Sequence, residues 1–255
     1  MNFLTAIHTD IGIKKSTNQD SGLIVEADTD FGKILLAVIC DGMGGLAKGE
    51  VASSALINQL CSWFENDLPR FLAAPDLKDL VFDAWERIIQ KANTDIAVYG
   101  KKHGVSMGTT VVAALFINDL YYILNVGDSR VYCLSDNIYQ LTKDQTYVQR
   151  EMDEGRMTYE EALNSPQRNV LLQCVGASQF VVPEYYYGNV APGQVYMLCS
   201  DGFRHIITEQ EIYKRLNPGV LTDENTMFNN AVELTELNKY RREQDNISVI
   251  VIKTN

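Results

Sequence analysis

Residues 33–42 read KILLAVICDG, an unbroken apolar run closed by Asp41 and Gly42. Such a run, too short for a helix and bounded by polar residues, reads as a strand buried on both faces. The same arrangement recurs along the chain. YILNVGDSR sets Asp128 behind an apolar run, VYMLCSDG does so for Asp201, and DNISVIVI sets Asp245 in front of one. A carboxylate is costly to bury unless it is paired or bound to a metal. Aspartates gathered at strand ends repel one another unless a cation holds them, and Mg²⁺ and Mn²⁺ prefer oxygen ligands of this kind. The pattern points to a metal-dependent enzyme on a β core.

Working outward, FLTAIHTDIG, SGLIVEAD and KILLAVIC read as strands. Two helical stretches follow. Val51, Ala55, Leu56, Leu60 and Trp63 recur at helical spacing in the first. Leu77, Leu80, Val81, Ala84, Ile88, Ala92, Ile96 and Tyr99 trace an apolar stripe on the second. GTTVVAALFI, DLYYILNVG, RVYCLSD and IYQLT then read as successive antiparallel strands, with turns at Asn118-Asp119 and Asp136-Asn137. Residues 144–169 are polar and weakly periodic, an irregular and partly helical cover over one edge of the core. NVLLQCVG, FVVPEYYYG and QVYMLCS read as strands, EQEIYKRL and ENTMFNNAVELTELNKY as helices, and NISVIVIKT as the last strand. Strand blocks flanking helices predict packed layers of sheet and helix, not a parallel βαβ chain. No repeat or linker divides residues 1–255, so a single domain is expected.

With 22 Lys plus Arg against 33 Asp plus Glu, the formal charge is -11. That disfavours broad nucleic-acid binding and anionic membrane surfaces, both of which call for basic residues. Cys40, Cys61, Cys133, Cys174 and Cys199 form no C-x-x-C pair and lie largely in apolar runs, as expected of reduced thiols in the cytoplasm. No signal peptide or membrane span is visible. The His residues (His8, His103 and His205) lack zinc-ligand spacing, and no P-loop or dinucleotide fingerprint is present.

The ordered set TDIGIKKSTNQDS, VICDGMGGLAKGEVAS, GTTVVAALF, NVGDSRVYCL, LTKDQTYV, NVLLQCVGA, LCSDGFRHII and QDNISVIVI resembles the PP2C/PPM family of metal-dependent protein serine/threonine phosphatases, in its compact bacterial form. Any one of these motifs is weak, and together they span nearly the whole chain. The resemblance implies an α+β fold, a four-layer α-β-β-α sandwich with a central antiparallel β-sandwich flanked by helices. It implies a cluster of Mn²⁺ or Mg²⁺ at one end of the sandwich. Asp41 would bridge two ions and the Gly42 carbonyl would join one of them. Asp201 and Asp245 would complete the direct ligands, and Asp20 would bind through metal-held water. Asp128 would help hold a third, weaker ion. Asn246 would orient Asp245, and residues 144–169 would form a flap beside the site. A water between divalent ions is acidic enough to attack phosphorus in line, so no covalent intermediate is required. The partners implied are phosphorylated proteins, targets of a serine/threonine kinase.

Three positions depart from the family pattern. Lys15 stands where the family carries an Arg that clamps the substrate phosphate; a lysine attracts phosphate as a mobile point charge and holds it less firmly. Gln19 replaces a common Glu, removing a negative charge near the metals. Leu46 stands where bacterial relatives often have His. Two alternatives therefore stay open: a weakened domain that binds phosphoproteins as a regulatory module, and a phosphohydrolase of small metabolites. For Asp128, a structural ion pair with Arg130 competes with a metal role.

Overall fold

The computed structural model of the chain describes residues 1–44 and 48–255. The opening run forms β3 (Gly32–Gly44), whose residues 34–40 are fully buried. Its burial on both faces follows from its place in the layers. Leu35, Ala37 and Ile39 face a second sheet and share a core with its Val131, Leu198 and Ile250. Ile34, Leu36, Val38 and Cys40 face helices α1 (Gly49–Asn66) and α2 (Leu77–His103), meeting Leu56, Leu60, Trp63 and Trp85.

The sheet containing β3 runs β2 (Asp20–Thr29), β3, β5 (Val111–Ile117), β6 (Leu120–Val126), β9 (Glu184–Asn189), with β4 (Met107–Thr109) added on β3. The other runs β1 (Phe3–Asp10), β11 (Ile247–Thr254), β10 (Val195–Cys199), β7 (Arg130–Leu134), β8 (Ile138–Gln140). Every ladder between these strands is antiparallel. The outer face of the second sheet is covered by α5 (Asp201–Arg204), α6 (Glu209–Leu216) and α7 (Glu224–Tyr240), through Phe203, Ile212, Leu216, Met227 and Leu234. The α6 start carries a capping box in which Thr208 and Glu211 satisfy each other's backbone N–H groups. Helix, sheet, sheet and helix make the four-layer α-β-β-α sandwich that the motifs implied.

Several local expectations are corrected. β3 does not stop at Asp41. It continues to Gly44 by exchanging partners, pairing with β5 over residues 35–39 and with β4 over 42–44. RVYCL and YYILNV are not neighbours, because β6 and β7 belong to different sheets. The chain crosses between the sheets at the GDS turn, where Gly127 takes a φ of 107°, a left-handed value open mainly to glycine. That crossing is what carries Asp128 to the end of the sandwich. NVLLQCVG forms no strand; it meets other segments at the single bridges Thr146–Leu171 and Thr109–Val175 and is held to α2 by Gly176 N–H donating to Asn93 Oδ1. FVVPEYYYG becomes regular only from Glu184, after Pro183, which has no N–H to give a ladder. Residues 144–169 contain two short helices, α3 (Tyr147–Asp153) and α4 (Tyr159–Asn164).

Candidate metal centre

The aspartates singled out in the sequence come from different strands and meet at one end of the sandwich. Asp20 opens β2 and lies directly opposite Asp41 in the β2–β3 ladder. Asp201 opens α5 just beyond β10, and Asp245 lies two residues before β11. Because β10 and β11 are adjacent antiparallel strands, the end of one and the start of the other fall side by side. Asp128 arrives on the crossing from β6 to β7. Asp20, Asp128 and Asp201 are each less than a tenth exposed, while Asp41 and Asp245 keep one side open.

Backbone contacts fix these positions. The Asp41 N–H donates to Thr110 Oγ1 (3.1 Å), and the Asp41 carbonyl accepts from Thr110 N (2.9 Å) and Thr109 Oγ1 (3.0 Å). Thr110 Oγ1 in turn lies 2.9 Å from Ser129 Oγ, next to Asp128. The break between β4 and β5 at Thr110 thus holds the aspartate in place. Gly42 is pressed between the carbonyls of Gly49 and Gln19, and a Cβ there would stand 2.3 and 2.5 Å from them. Asn246 donates its N–H to Asp245 Oδ1 (2.8 Å). Its side chain accepts from Gln19 N (2.9 Å) and donates to Ile11 O (2.9 Å), so it pins loop 11–19 to the start of β11. Gln19 contributes through its main chain, its carbonyl accepting from Gly42 N and Ser53 Oγ.

The electrostatics are unfavourable for bare carboxylates. Burial first, then Asp20 and Asp201, push the Asp41 carboxyl well above the usual range. Burial, against hydrogen bonds from serines, brings Asp20 up to about 7. Asp20 Oδ2 accepts from Ser200 Oγ at 2.9 Å, yet Asp20 Oδ1 and Asp201 Oδ1 are buried with no hydrogen-bond partner. Orphaned carboxylate oxygens facing like charges are a donor set suited to cations. Among the described residues no three acidic, His or Cys side chains close on one point tightly enough for a single ion. They stand within electrostatic reach of one another instead, with basic groups laid on two of them. Lys15 Nζ stands 2.6 Å from Asp245 Oδ1 and within electrostatic reach of Asp41 and Asp201. His205 lies between Asp201 Oδ2 (3.5 Å) and Glu243 Oε2 (3.6 Å). Burial disfavours its charged form, but Glu243 and Asp201 outweigh burial and raise its pKa.

Asp128 has different company. Arg130 does not pair with it; Arg130 forms a two-pronged pair with Asp144 (2.6 and 2.7 Å). Arg204 takes Asp128 instead, donating from Nη2 to its carbonyl (2.8 Å) and standing 3.7 Å from Oδ2. Asp20 and Asp201 thus carry the unpartnered carboxylate oxygens of the cluster, and Asp128 adds Arg204 to its neighbours. By sequence alone, Arg204 and His205 read as satisfied or exposed side chains, not as part of the site. The signal was their spacing, three and four residues after Asp201 on the same helical turn. Leu46 lies outside the described residues.

Known proteins place these observations. The family model for Protein phosphatase 2C matches residues 12–235. The serine/threonine phosphatase stp of Listeria innocua is 31% identical over 253 residues, covering 97% of this chain and 94% of that protein. The S. agalactiae serine/threonine phosphatase superposes with a TM-score of 0.85 at 28% identity, covering 100% of both chains. The catalytic domain of the serine/threonine protein phosphatase PstP, solved with two manganese ions, has a TM-score of 0.79 at 29% identity, covering 98% of this chain and 97% of that one. With the matched fold, the aspartates gathered at one end and relatives over its full length, the chain belongs to the protein phosphatase 2C family.

Proposed function

We propose that this chain is a divalent-metal-dependent phosphatase that removes phosphate from phosphoserine and phosphothreonine in proteins, using Mn²⁺ or Mg²⁺. One observation carries the reading: Asp20, Asp201 and Asp245 all press on the Asp41 carboxylate, and two buried carboxylate oxygens, Asp20 Oδ1 and Asp201 Oδ1, are left unpartnered. Asp41, Asp201 and Asp245, with the Gly42 carbonyl, would hold a pair of ions, and Asp20 would hold their water. When bound, such a pair supplies a water acidic enough to attack phosphorus and offsets charge on the phosphoryl oxygens. The chain's own residues do the positioning. Thr109 and Thr110 fix the Asp41 backbone, Asn246 fixes Asp245, and Ser200 orients Asp20.

Lys15 sits at the open rim, where its ammonium would draw a phosphate toward the site while leaning on Asp245. A cavity of about 800 Å³ between α3, α4 and α6 reaches Asp128 and His205. Residues 144–169 would act there as the flap that meets the phosphoprotein, the product of a serine/threonine kinase. No helix among the described residues is long and apolar enough to cross a membrane. Neither the regulatory-module nor the small-metabolite reading has an observation in its favour. Turnover of a phosphothreonine peptide by chelator-stripped protein, with and without restored Mn²⁺, tests the proposal. Metal-dependent release of phosphate is expected, and none in either condition would overturn it.

A further inference from the structure

A third cation at Asp128 conflicts with what surrounds that residue. Arg204 reaches it from α5 with its side chain only 12% exposed. The same Nη2 that binds the Asp128 carbonyl lies 3.3 Å from Asp144 Oδ2. Asp144 is itself gripped by both prongs of Arg130, whose Nη1 donates to the Tyr132 hydroxyl (2.8 Å). Asp128 and Asp144 thus share Arg204, although burial, and then the facing Asp201, still bring the Asp128 carboxyl up to about 7. A cation bound by Asp128 Oδ2 at about 2.1 Å would sit within roughly 6 Å of Arg204 Nη2, in a buried setting that screens little of the repulsion. Guanidinium suits this place because it stays charged when buried and can serve several oxygens at once.

We infer that the Arg204 guanidinium stands where the family resemblance puts a third cation, tying Asp128 to Asp144, so that this chain takes up a pair of ions and no third. The inference rests on the proposed metal centre. It also gives Arg204 a structural consequence, since Asp144 begins the segment leading to α3 while Arg204 ends the helix that starts at Asp201. The proposed flap and a proposed metal ligand are joined by a side chain and not by an exchangeable ion.

Equilibrium dialysis against Mn²⁺, followed by metal analysis of the protein, tests this. The wild type is expected to hold about two ions per chain. Asp128→Asn is expected to leave that count unchanged, and Asp41→Asn to lower it. Arg204→Gln is expected to gain a further, weaker ion that the double variant with Asp128→Asn lacks, whereas Arg204→Lys keeps the wild-type count. A third ion in the wild type that Asp128→Asn removes would overturn the inference while leaving the metal centre standing. An unchanged count in folded Arg204→Gln would also overturn it. Should Arg204→Gln fail to fold, Asp128→Asn in the wild-type background still decides. No bound manganese in the wild type would overturn the metal centre, and this inference with it.

Discussion

Two acidic groups lie side by side at the end of this sandwich, and they are built differently. In one, Asp144 is matched by Arg130 and Arg204, while Asp128, beside Arg204, is still brought up to about 7 by burial and Asp201. Asp144 is deeply buried, yet Arg204 and Arg130 outweigh burial and hold its carboxyl below the usual range. In the other, Asp20, Asp41, Asp201 and Asp245 share one lysine at the rim and one histidine, and Asp20 and Asp41 are pushed upward. Asp20 and Asp144 are both buried carboxyls, so the difference between them lies in the built-in cations. A group that carries its own cations is finished by the fold. A group that lacks them is poised to take cations from solution, and that contrast is the physical basis for placing the chemistry at Asp41.

The contrast can be broken first at Asp41. Asp41→Asn should cut metal-dependent phosphatase turnover at least about 100-fold, since disturbing even supporting residues of metal ligands costs 10–100-fold. Its urea midpoint in chelator should not fall, because the charge removed has no matched partner. Asp144→Asn should do the reverse to stability. It leaves Arg130 buried without its carboxylate, a loss of about 3 kcal/mol, read as a lower urea midpoint with or without metal.

A pH series sharpens the same contrast. The folded Asp20 carboxyl titrates at about 7, above the 3.8 of an ordinary Asp. Between those values the folded state holds a proton that the unfolded chain has lost, so stability falls as pH rises through that window. Metal-free protein should therefore melt at a higher temperature at pH 5 than at pH 8, and Mn²⁺ should remove the difference by favouring the ionised form. The drop should be smaller than that of Asp144→Asn, because neighbouring carboxyls share protons. A melting temperature that rises from pH 5 to pH 8 in chelator would contradict the assignment. The smallest effect belongs to Lys15→Ala. The Lys15–Asp245 pair is more than a third exposed on both sides, so stability should change by less than about 1 kcal/mol. The KM for a phosphothreonine peptide should rise by up to about fivefold.

Much of this was legible in the chain because strand ends are marked by composition. KILLAVICDG announced both a doubly buried strand and the carboxylate it delivers, and the antiparallel sandwich was implied by the resemblance that the ordered motifs carry. What sequence could not show was partnership across the sheets. Arg130 stands two residues from Asp128 and was one of two candidate partners for it, yet the crossing between β6 and β7 turns it toward Asp144. Arg204 is remote from Asp128 in sequence and reaches it only because α5 is laid across the strand ends. NVLLQCVG has the composition of a strand, but Val170 and Leu172 are exposed and Gly176 packs on Ile96 of α2, so the segment runs between layers without a ladder. Thr109 and Thr110 read as strand residues, and their grip on the Asp41 backbone appears only once β4 and β5 separate.

The claim beneath all of this is that Asp41, Asp201 and Asp245 close around a pair of divalent ions. Anomalous diffraction from crystals grown with Mn²⁺ tests it most directly. The account predicts a pair of manganese peaks beside Asp41, Asp201 and Asp245. Manganese bound elsewhere, or no peak beside Asp41, would contradict it.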